Sequence, residues 1–151
     1  MEEIILHIHP YLTFVNAKQA MEYYRDMFGA EIRYRQPLSK SSAENLGLST
    51  DHLDDTTLYG EIVLNGQIIA CADAVMGVPA ASSLVSIMLD FDDEGAAKEL
   101  FDRVSSSDDQ RVTVPFNNHE TGGHFAQVVD KYGVTWVISV GVASGSQSSE
   151  D

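Results

Sequence analysis

A chain of 151 residues, 44% of them hydrophobic and 9% aromatic, is long enough for one domain with a substantial core. Its formal net charge of −14 repels phosphate backbones and anionic lipid surfaces, which argues against nucleic acid and membrane partners and suits a cationic ligand. The one cysteine, Cys71, excludes an internal disulfide, and its apolar setting IIACA predicts a buried, inert thiol. The opening MEEIILHIHP has neither the basic start nor the long apolar run of a signal peptide, and no run approaches the ~20 residues of a membrane span, so a cytoplasmic protein is expected.

The first stretch, IILHIHPYLTFVN, reads as a strand over residues 4–16. Alternation puts Ile4, Leu6, Ile8, Leu12 and Phe14 on one side and His7, His9, Tyr11 and Thr13 on the other. A solvent face more usually carries Lys, Glu and Ser, so the second row raises the question of a metal site or a ligand cavity. Asn16 then caps a helix in which Ala17, Ala20, Met21, Tyr24 and Phe28 recur at helical spacing, and Gly29 ends it. AEIRYRQ reads as a strand. Residues 37–56 show no steady period and read as a long loop, a candidate lid. LYGEIVLNGQIIACAD is a hairpin about Asn65-Gly66, a pair that accepts the positive φ of a type I′ turn.

The second half repeats that order. SLVSIMLDF is a strand, and Asp92 or Asp93 caps a helix carrying Ala96, Ala97, Leu100, Phe101 and Val104. QRVTVP and the pair in HFAQVVDKYGVTWVISV complete the set. A constant shift lays Leu12 on Leu89, Phe14 on Phe91, Ala20 on Ala97 and Glu22 on Glu99, with Tyr23-Tyr24 on Leu100-Phe101. Identities and element order together favour a duplicated β-α-β-β-β module, about 1–75 and about 83–141, within one domain over 1–141, followed by a flexible acidic tail at 142–151.

The phrases PYLTFVNAKQAMEYYRDMFGAEI, GEIVLNGQIIACAD and GGHFAQVVDKYGVTWVISV, in that order, resemble the glyoxalase/bleomycin-resistance/dioxygenase superfamily, the vicinal oxygen chelate proteins, and within it the PhnB-like branch. The resemblance implies an α+β glyoxalase-like fold: two modules, each a curved sheet with helices on its convex side, around a concave cavity, and paired into a homodimer. A dimeric ferredoxin-like barrel is the alternative, but it does not require both hairpins to repeat in order. Some relatives carry methyltransferase labels, yet no Gly-rich strand-to-helix turn here suits a nucleotide-like cofactor. With the cavity on the sheet face opposite the helices, His7, His9, Tyr11 and Thr13 are expected to line it, with Tyr59, Glu61 and Val63, Ser86, Met88 and Asp90, and Thr135, Val137 and Ser139.

Metal-dependent members of the superfamily take ligands from the first and last strand of each module. Carried onto this chain, those positions fall on His9, Ala70, Ser86 and Val137, so only His9 is a competent ligand and the usual set looks dismantled. No cofactor is therefore expected. A divalent metal, if bound, would take His9 first, with His7 two residues away and Glu61 or His124 as further ligands. A pair of cavity-wall histidines is the blander and favoured reading. Asp73 has the wrong parity for the missing carboxylate and suits a cap or turn. His119 and His52 read as surface residues, His124 as reaching the cavity mouth, Trp136 as core, and Met88 as cavity wall.

Three functions are consistent with these residues. One is a protein that binds a small molecule in a cavity without a catalytic metal. Another is an enzyme, either a divergent metal-dependent lyase or dioxygenase, or a metal-free catalyst in which His9 or His7 is general base beside Tyr11 and Glu61. The third is a dimeric scaffold whose cavity is packed shut by Met88, Tyr11 and Tyr59.

Overall fold

Each half of the chain builds one helix-backed sheet. In the computed structural model, which describes residues 4–75, 77–82, 84–118 and 122–141, the elements run β1 (Tyr11–Phe14), α1 (Ala17–Phe28), β2 (Glu31–Pro37), α2 (Lys40–Leu46), β3 (Thr57–Leu64) and β4 (Gln67–Asp73), then β5 (Ile87–Phe91), α3 (Glu94–Ser105), β6 (Arg111–Asn118), β7 (His124–Val129) and β8 (Thr135–Val140). The strand orders are β1-β4-β3-β2 and β5-β8-β7-β6. In both sheets the first strand runs parallel to the last and the other neighbours are antiparallel. This is an α+β fold of two tandem β-α-β-β-β modules. The chain divides into two compact units, Met1–Pro79 and Ala80–Asp151. No helix among the described residues is long and apolar enough to cross a membrane.

Local chemistry explains the elements. The Asn16 side chain accepts from the Gln19 amide at 3.0 Å, and Gly29 closes α1 in the left-handed region at φ 76. Between these caps the buried positions are Ala17, Ala20, Met21, Tyr24 and Phe28, one stripe of a 3.6-residue period. Tyr24 packs edge-on against Phe28 at 5.4 Å and tilts against Phe14 at 6.0 Å, which ties the helix to β1. Asp93 caps α3 by accepting from Ala96 at 2.8 Å, and Ala97, Leu100 and Val104 are buried. The β3–β4 turn is Asn65-Gly66, with both residues at positive φ.

The structure departs from the expected elements in three places. Residues 37–56 are not a bare loop: Ser39 caps α2 through the Ser42 amide, Gly47 ends it, and Leu53–Asp55 form a 3-10 turn. Strand β1 starts at Tyr11, not at residue 4. Pro10 has no N–H to give a ladder, and its carbonyl, which accepts from Ala70 at 2.8 Å, is where pairing begins. Likewise β5 starts at Ile87, so Leu84, Val85 and Ser86 precede the ladder. The expectations for His119 and for the tail at 142–151 lie outside the described residues.

Candidate functional site

Register assigns the two faces of each sheet. In the first, Phe14, Ile62, Ile69 and Cys71 are buried on the helix side. Asp73 shares their parity, and its carboxylate accepts from the Ala17 amide at 2.8 Å, a second cap on α1. Burial pushes the Cys71 thiol up to about 12, so it remains a neutral thiol at physiological pH and no nucleophile.

The helix-free face of the first sheet carries Tyr11 and Thr13 from β1, Ala70 and Ala72 from β4, and Tyr59, Glu61 and Val63 from β3. Tyr11, Ala70 and Glu61 form one cross-strand row. The Tyr59 hydroxyl donates to Glu61 Oε2 at 2.8 Å, and that hydrogen bond is the main cause of the raised pKa of the phenol. A register shift between Ile32 and Tyr34 lets Arg33 reach within 3.7 Å of Glu61 Oε1, while the Tyr34 ring lies 6.3 Å from the Tyr59 ring. Tyr11 is 59% exposed and Tyr34 47%. A carboxylate is thus set among three phenol rings, two of them substantially exposed. Arg33 and Tyr34 escaped the reading of the sequence because a bulge breaks the strict alternation on which that reading rests.

The other expected residues divide. His7 and His9 are exposed, lie in irregular chain ahead of β1, and stack in parallel at 6.1 Å. They therefore do not continue the Tyr11–Thr13 row on the sheet. Met88 is on the helix-free face of the second sheet, paired with Val137, and Ser86 sits just before β5. Asp90, next along, accepts from the Ser139 hydroxyl at 2.9 Å. His124 is a correction: paired with Val140, it has helix-side parity, its Nε2 lies 2.9 Å from Glu94 Oε1 at the start of α3, and its ring stacks on Phe116. Trp136 is fully buried on the helix side and donates to Asp130 at 2.8 Å. His52 is exposed. No group of three or more His, Cys, Asp or Glu side chains converges closely enough to hold a metal among the described residues.

Two four-stranded mixed sheets, each with a helix on one side and a mixed polar face on the other, define the glyoxalase-like class of fold. Residues 6–139 match the model of the family described as 3-demethylubiquinone-9 3-methyltransferase, and the chain belongs to this family, the PhnB-like branch of the glyoxalase/bleomycin-resistance superfamily. It is 28% identical over 140 residues to Protein YjdN of Escherichia coli, covering 88% of this chain and 94% of that protein. Among solved structures it is similar to the PhnB protein of Bacillus cereus, with a TM-score of 0.70, 21% identity, and coverage of 89% of this chain and 99% of that one. It is also similar to the fosfomycin resistance protein FosX of Listeria monocytogenes, with a TM-score of 0.69, 11% identity, and coverage of 97% and 100%. At these identities the structural likeness concerns the fold.

Proposed function

We propose that this protein binds a small cationic or aromatic molecule on the helix-free face of its first sheet, without the superfamily's usual metal-ligand set. The observation that carries the reading is Glu61, which accepts from Tyr59 and lies on the same face as Tyr11 and Tyr34. A carboxylate among aromatic rings favours a cation by Coulomb attraction and by the negative faces of the rings. The net charge of −14 draws such a ligand in, with Arg33 as a rim competitor for the same carboxylate. Alkyl side chains at Ala70 and Val137 and a lone hydroxyl at Ser86 support the metal-free reading, since none of the three normally holds a divalent ion.

The family's description names a methyl transfer, but the residues here do not suit a nucleotide-like methyl donor. The strand-to-helix turns are Val15-Asn16, Leu38-Ser39 and Asp92-Asp93, all without glycine, and the side chains of Asn16, Ser39, Asp73 and Asp93 already take N–H groups of the first helical turns. We extend the proposal to a homodimer. Ile4, Ile5, Leu6 and Ile8, which precede the edge strand β1, are 73–90% exposed, and a second copy covering this apolar segment removes the exposure.

The test is a calorimetric screen of cationic and aromatic small molecules on protein purified without tag or chelator, with metal content and oligomeric state measured on the same sample. Binding that weakens at least about tenfold in Glu61→Gln supports the reading. Stoichiometric metal that is lost in His9→Ala overturns it in favour of metal chemistry.

A further inference from the structure

On the helix-free face of the second sheet, Arg111, Thr113, Gln127, Val129 and Thr135 line a recess of about 260 Å³, bounded on one side by Ala81 and Ser82. The loop approaches this closely because residue 133 is glycine. At φ +90, a Cβ on Gly133 would stand 2.7 Å from the Ala81 Cβ.

The lining is rich in donors. Arg25, Arg33 and Arg35 each meet a carboxylate, hydroxyl or carbonyl, whereas Arg111 meets none among the described residues. Thr135 is only 5% exposed, yet its hydroxyl has no hydrogen bond among the described residues, and the same holds for the Gln127 side-chain amide. The Thr113 hydroxyl donates to the Gln127 carbonyl at 3.2 Å and fixes that strand pair at the bulge.

Register shows what is particular to this face. Glu31 pairs with Val63 and Val63 with Ile68, as Arg111 pairs with Val129 and Val129 with Thr135. Glu31 is therefore the counterpart of Arg111, and by the next row Glu61 is the counterpart of Gln127. Two carboxylates on the first face become a guanidinium and a neutral amide on the second. In a chain with 23 acidic residues, an arginine that meets no carboxylate among the described residues retains its fork of donors for a ligand.

We propose that this recess binds a small oxyanion, the carboxylate or tetrahedral phosphorus group of a small molecule. Arg111 supplies the charge, and the Thr135 hydroxyl and Gln127 amide supply further donors. The proposal rests on residues of the second unit alone and does not depend on the cation site proposed for the first sheet.

The experiment titrates the full, uniformly nitrogen-15-labelled chain with sodium phosphate and, separately, with sodium acetate at ionic strength held constant with sodium chloride. Backbone and arginine side-chain N–H signals are followed. Saturable shifts at Arg111, Gln127 and Thr135 are expected with at least one anion, and phosphate or acetate alone identifies the tetrahedral or planar preference. The affinity is expected to fall at least about tenfold in Arg111→Gln and about threefold in Thr135→Val. Shifts that never saturate with either anion, or that keep the same affinity in both recess variants, overturn the proposal.

Discussion

The two modules share one scaffold and fill it with opposite solutions. From the helix caps through the first strands they match residue for residue: Asn16 and Asp93 cap, and α1 at 17–28 corresponds to α3 at 94–105. Beneath the helices the packing is exchanged. Gly60 pairs with Cys71 in the first sheet where Ala126 pairs with Ile138 in the second. The first module restores the volume from above with Met21, whose counterpart on α3, Lys98, is exposed. The hairpins differ as well. The first turns on Asn65-Gly66 and needs no side-chain support, while the second is a longer turn organised by Asp130. Topology is thus conserved by compensation between positions, and each module's helix-free face is left to diverge in charge.

The sharpest break between the modules is expected at Asp130. Its carboxylate accepts from the Tyr132 and Val134 amides and from the Trp136 indole while only 4% exposed. Asp130→Ala removes the carboxylate acceptor of a fully buried indole N–H and is expected to cost about 3 kcal/mol in urea unfolding, with Asp130→Asn costing about half as much. No residue of the β3–β4 turn has an equivalent effect.

A smaller effect separates the paired positions under the helices. In Gly60→Ala the new Cβ would meet Met21 Cε at 2.8 Å and the Tyr34 carbonyl at 3.3 Å, an overpacking expected to cost about 1 to 2 kcal/mol. Ala126→Gly is expected to cost about 1 kcal/mol for the opposite reason, a lost methyl group and a freer backbone. If Gly60→Ala were neutral, the exchange of volume between sheet and helix would not hold.

The smallest difference lies in the caps. Asn16→Ala leaves Asp73 still bonded to the Ala17 amide, whereas Asp93→Ala leaves α3 without a comparable second carboxylate, because the position matching Asp73 is Val140. Thermal unfolding is expected to show a loss of about 1 kcal/mol for Asp93→Ala and about half that for Asn16→Ala. Equal losses would show that the Asp73 contact contributes nothing to α1.

Much of this architecture is legible in the sequence, because caps and periodicity act locally. Asn16, Gly29, Asp93 and the Asn65-Gly66 pair bound their elements, and the buried stripes of both helices are readable at helical spacing. Helix α2 is not, since seven residues with only Ala43 buried produce no period to detect. The reach of β1 is misread because alternation in IILHIHP shows only what a strand would look like; a partner strand is needed, and Pro10 withholds a donor. On the helix-free faces, Tyr11, Thr13, Tyr59, Glu61 and Met88 fall where alternation puts them. Arg33 and Thr113 do not, because bulges at equivalent places in β2 and β6 shift the parity of the residues that follow. Arg111 is invisible for another reason: its significance comes from meeting no carboxylate among the described residues, which only the folded chain reveals.

The buried indole of Trp136 has an optical consequence. It is the only tryptophan in the chain and belongs to the second unit, while the only thiol, Cys71, is buried in the first. Indole emission therefore reports the unfolding of one module, and the rate of thiol trapping reports the opening of the other. A single unlabelled sample can show whether the duplicated halves melt together or one after the other.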